Sequence, residues 1–154
     1  LGRRHPLTIE GDEIGSFDLH VSCTSSGSYN AVYIEHRHEG DDVPLAHAVR
    51  AVTLRAAGHE AALKVVASDR HDPDELVTYA TGTIPAAMID QFGAQGDHSM
   101  FIDTRSKRLF TSIRIGNTGV AANLPRLAAT CAMPSEQPKR AALVRPPGAV
   151  ASAQ

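Results

Sequence analysis

Turn signals set the frame for this chain. The segments SSGS, EGDDVP, AAGH, SDRHDPD, GAQGD and RSK punctuate it, close to the roughly 8–12-residue rhythm of all-β domains. Such short intervals leave little room for long helices, and most of the stretches between them read as strands. SFDLHVSC sets Phe17, Leu19, Val21 and Cys23 against Asp18, His20 and Ser22. That period of two places alternate side chains on one buried face. YNAVYIEHR puts Val32, Ile34 and His36 opposite Ala31, Tyr33, Glu35 and Arg37. HAVRAVTLRA is mixed, with Val52 and Leu54 on one side and Val49, Ala51 and Thr53 on the other. HEAALKVVAS, ELVTYATG, HSMFIDT and RLFTSIRIG complete the set, the last two flanking RSK as a hairpin.

Two helices fit around these strands. In IPAAMIDQFG, Ile84, Met88 and Phe92 lie four apart, Pro85 suits the first helical position and Gly93 can end the helix. In TGVAANLPRLAATC, Val120, Leu124, Leu127 and Cys131 form one helical stripe interrupted by Pro125. Either Asn123 caps a short helix with Pro125 in its first turn, or Thr118 opens a longer, kinked one; the short helix is preferred. Strands that do not alternate regularly with helices argue against a parallel α/β sheet. The expected fold is mainly β, an antiparallel sandwich or barrel of about seven strands with two short helices.

Composition narrows the function classes. A chain of 154 residues fits one domain with a real core. Its net charge of −2 invites no nucleic acid, and no apolar run is long enough for a membrane span. With no Trp and few aromatics, stacking platforms for sugars or bases are disfavoured. The opening LGRRHPLTIEG has no apolar signal region, which fits a cytosolic fragment or a mature chain whose export signal has been removed. Residues 1–131 read as one β-rich domain closed by a helix. Residues 132–154 read as a Pro/Ala-rich tail, a candidate contact for homo-oligomers.

Both cysteines point with apolar residues, Cys23 at the end of a strand and Cys131 at the end of the final stripe. They are expected to bond, which requires an oxidising compartment. The alternative is two unrelated buried thiols, since Cys packs as a small hydrophobe.

The remaining chemistry is sparse. His36 and His38 fall on one face of a strand, and with Asp42 they form a candidate site for zinc or another divalent transition metal. The alternative is the charged end of a strand leaving the core, with GDD making the turn. A cupin arrangement fails, because Asn30 stands where that family has a Gly and the later Pro-X-Gly-X-X-His segment is missing. Arg105, Lys107 and Arg108 at a hairpin tip are candidate contacts for an anionic partner, or simply an edge-protecting charged turn. No Gly-X-Ser-X-Gly elbow, Walker loop or His-Glu-X-X-His is present, so no catalytic residue is assigned.

IGSFDLHVSC and IRIGNTGVAANLPRLAATC resemble small exported proteobacterial proteins of the invasion-associated locus B type. Ser16, Phe17, Leu19, Val21 and Cys23 match at the front, and Gly116, Ala121, Ala122 and Leu124 at the back. Phe17 replaces that family's Trp, and its early Cys partner is missing, so Cys131 would pair with Cys23. The resemblance implies a periplasmic or cell-envelope protein that works through interactions rather than catalysis. The expectation is therefore a non-catalytic secreted or periplasmic binding domain with an unidentified protein or envelope partner and no cofactor. The alternative is a metal-binding protein or metal-dependent enzyme built on His36 and His38.

Overall fold

The computed structural model describes residues 4–9, 12–24, 27–38, 47–72 and 74–132. Eight strands are present: β1 (Arg4–Ile9), β2 (Asp12–Cys23), β3 (Tyr29–His38), β4 (Val49–Ala56), β5 (His59–Asp72), β6 (Glu75–Ile84), β7 (Ser99–Ser106) and β8 (Phe110–Gly116). Two helices, α1 (Ala86–Phe92) and α2 (Val120–Ala132), follow β6 and β8. Every pairing is antiparallel, and the spatial order is β1-β2-β3-β6-β5-β4-β7-β8. The sheet curls into a nearly closed barrel, so the barrel prevails over the sandwich.

Bulges help the sheet to curl, because an extra residue on one strand bends it and increases its twist. Register shifts occur between Leu7 and Thr8 in β1, between Val49 and Ala51 in β4, and between Val65 and Ala67 in β5. The second shift resolves the mixed pattern of HAVRAVTLRA. Val49, Val52 and Leu54 are all buried, although Val49 and Val52 are an odd number of residues apart. The third shift turns Val66 outward and leaves it exposed.

The interior is lined by Phe17, Leu19 and Val21 of β2, Ala31 and Tyr33 of β3, Leu54 of β4, Leu63 of β5, Ala80 of β6 and Ile102 of β7. Each large apolar side chain buried there contributes about 1.5–3 kcal/mol. Met88, Ile89 and Phe92 of α1 are buried in the same cluster. α1 begins at Ala86, with Pro85 extended before it, one residue later than expected.

Two expectations are corrected. β1 is an eighth strand that the sequence reading passed over, because Pro6 interrupts HPLTI. An edge strand tolerates proline, since one of its sides needs no ladder donors. α2 is the long helix, not the short one: it starts at Val120 and keeps Pro125 inside. Val120, Leu124, Leu127 and Cys131 all pack against the core. Burying the whole stripe outweighs the single backbone bond that proline removes. Gly93 permits this docking, because a Cβ there would lie 2.7 Å from Leu124 Cδ2 and 3.2 Å from Val120 Cγ1.

Candidate functional site: a cavity at the barrel mouth

A cavity of about 420 Å³ opens where the two edge strands approach each other. Leu19 and Val21 of β2, Met100 of β7 and Ile115 of β8 line its wall, and Ile89 and Phe92 of α1 form its floor. Val120 and Asn123 bring α2 along one side, and His5 of β1 stands at the rim. The apolar wall follows from the alternation of β2, whose inward residues are also its hydrophobic ones. The β8–α2 turn, with Thr118 and Gly119 exposed, leaves one side open to solvent. The His5 ring stacks on Phe17, with centroids 5.1 Å apart, and Phe17 in turn meets Tyr33 at 5.9 Å.

The two cysteines are neighbours at the contact of α2 with β2. α2 packs on β2, and Cys23 and Cys131 are both partly buried against the core. Both are thiols that are not at bonding distance, so the structure does not contain the expected disulfide. Both side chains are free thiols and neighbours. Partial burial and then the Cys23 neighbour push the Cys131 thiol up to about 11.

The string EHRH at the end of β3 splits across the barrel wall. Glu35 and Arg37 point inward and are almost wholly buried. Tyr33 Oη donates to Glu35 Oε1 at 2.6 Å, and Arg37 Nε donates to Glu35 Oε2 at 3.1 Å. Arg37 Nη2 lies 3.1 Å from that same oxygen but has no hydrogen-bond partner among the described residues. Burial and the Glu35 charge raise the Tyr33 hydroxyl well above its ordinary value. His36 and His38 point outward, where Glu75 of β6 receives both. His36 Nδ1 is 3.0 Å from Glu75 Oε2, and His38 Nε2 is 3.4 Å from the same oxygen.

Asp42 lies outside the described residues, as does the 133–154 part of the tail. Glu75 was missed in the sequence because nothing local connects it to His38. Only the β3–β6 register places the two opposite each other. At the charged hairpin, Arg105 lies over the Phe110 ring at 4.9 Å, while Lys107 and Arg108 are exposed at the tip. Among the described residues, no helix is long and apolar enough to cross a membrane.

The architecture is thus a nearly closed, barrel-like antiparallel sheet of eight strands with a helix-flanked apolar mouth. Comparison of the chain with family models, curated proteins and solved structures finds no match.

Proposed function

We propose that the chain is a non-catalytic binding domain of the cell envelope that takes a small apolar molecule into the barrel mouth. The observation that carries this reading is the cavity. Its volume of about 420 Å³ falls within the ~300–1,000 Å³ of small-molecule sites. An apolar ligand gains about 25 cal/mol for each Å² it removes from water. His5, Thr118 and Asn123 at the rim suit a ligand with one polar end.

The proposed export would let the free cysteine pair bond. In an oxidising compartment the two thiols would give up two electrons and two protons to a disulfide-exchange partner and close a Cys23–Cys131 bond. The link would clamp α2 beside the cavity. The likeness of the two cysteine-bearing ends to exported envelope proteins points the same way.

The test is fluorescence titration with N-phenylnaphthylamine, using wild type and an Ile115→Trp variant that fills the cavity from β8. The reading expects saturable binding of one equivalent by wild type. It expects at least tenfold weaker binding by the variant at unchanged thermal stability. Absence of saturable binding, or equal binding by both proteins, refutes it.

A further inference from the structure

Three metal-competent side chains, His71, Asp72 and Glu75, gather at neighbouring strand ends, and His36 and His38 reach one of them. His71 and Asp72 end β5, Glu75 begins β6, and His36 and His38 end β3. The pairing of Asp72 with Glu75 and of Glu75 with His38 aligns three adjacent strand ends. Ligand atoms of His71, Asp72 and Glu75 lie within 4.8 Å of one another. Glu75 is the hub, because its Oε2 also meets His36 at 3.0 Å and His38 at 3.4 Å.

We propose that this cluster is a binding site for a divalent transition cation of the zinc class. His71, Asp72 and Glu75 are its primary ligands, His38 completes the shell, and His36 is a positioning residue. Zinc–nitrogen and zinc–oxygen bonds of about 2.0–2.2 Å at the tetrahedral angle place ligand atoms about 3.3–3.6 Å apart. The His38–Glu75 separation of 3.4 Å already matches. The His71, Asp72 and Glu75 atoms need to close by no more than about an ångström or so. His71 and Asp72 are exposed, so their side chains can make that adjustment and a cation can reach them.

Mixed imidazole and carboxylate donors select zinc, cobalt, nickel or copper over magnesium and calcium, which prefer all-oxygen shells. His36 is only a third exposed, and its Nδ1–H donates to the Glu75 carboxylate. That is the supporting hydrogen bond that fixes a ligand's orientation. Nearby, β2 approaches so closely that a Cβ on Gly15 would sit 1.9 Å from the His36 carbonyl oxygen, which pins the backbone bearing His36. The bound cation would tie three strand ends together, so it should also raise the melting temperature. This inference is independent of the cavity reading.

The test uses full-length protein without a polyhistidine tag, titrated with zinc by calorimetry and with cobalt by visible absorption. The expected result is one equivalent of each, with an intense low-symmetry cobalt spectrum and a higher melting temperature with zinc. His71→Ala and Glu75→Gln should each weaken binding at least tenfold, and His20→Ala should leave it unchanged. His71 is exposed, so its variant tests the site without threatening the fold. Absence of stoichiometric binding by wild type, or binding that survives either the His71 or the Glu75 substitution unchanged, overturns the proposal.

Discussion

Closing the Cys23–Cys131 bond should change stability by an amount the structure lets us estimate. The two residues sit at opposite ends of a loop of roughly 100 residues, whose closure in the unfolded chain is worth about 4.7 kcal/mol. Both lie at the contact of α2 with β2, where the thiols are neighbours that are not at bonding distance. Strain and residual structure commonly remove part of the ideal figure, which leaves about 2–4 kcal/mol. At a urea dependence of about 2 kcal/mol per molar, the unfolding midpoint should rise by about 1–2 M. The assay compares urea unfolding of reduced and oxidised monomer, with Cys23→Ser as the control that oxidant cannot shift. Rate carries a second signature. With its pKa at about 11, the Cys131 thiol is ionised only about one part in a thousand at pH 8. Closure through attack by Cys131 should therefore quicken about tenfold per pH unit from pH 8 to 10. An oxidised monomer with an unmoved midpoint, or an oxidised product that is only an intermolecular dimer, would refute the reasoning.

Three further outcomes are expected. Gly15→Ala should lose at least about 3 kcal/mol by urea unfolding, because Gly15 has φ +152 and its new Cβ would collide with the His36 carbonyl; a loss under about 1 kcal/mol would contradict the packing. Arg37→Met should cost about 3–5 kcal/mol by leaving the Glu35 carboxylate buried without its cation, and pairing it with Glu35→Gln should recover much of that in a double-mutant cycle. Asp103 is held below the ordinary carboxylate range by the Arg55 guanidinium, then by Ser112, against the opposing effect of burial. Because its folded pKa is lowered, its contribution is complete above the ordinary value near ~3.9 and fades as pH falls through the folded one. Asp103→Asn should therefore flatten the stability profile below about pH 4, which parallel unfolding curves would check.

The fold was legible wherever alternation ran uninterrupted. In β2, Phe17, Leu19 and Val21 point inward as their spacing requires. Legibility failed at bulges, where one inserted residue reverses inside and outside, as between Val49 and Val52. It failed at β1 because Pro6 reads as a breaker until the strand is known to lie on an edge. In α2 the stripe from Val120 to Cys131 already contained the longer helix, but Pro125 was given more weight than the apolar surface it interrupts. The candidate sites were less visible, being non-local. The cavity draws on β1, β2, β7, β8 and both helices, and no sequence window spans them. Of the outer cluster, the His36 and His38 pair was apparent, whereas Glu75, His71 and Asp72 depended on which strands pair. His71 and Asp72 had looked like turn residues, yet β5 runs on through both.

The measurement that bears most directly on the binding role is methyl-resolved NMR during titration with N-phenylnaphthylamine. The account predicts that resonances of Leu19, Val21, Ile89, Met100 and Ile115 shift together and saturate at one equivalent, while Ile34 and Val77 on the outer wall stay in place. Unshifted cavity methyls at saturating probe, or shifts centred instead on exposed Val66 and Phe110, would contradict it.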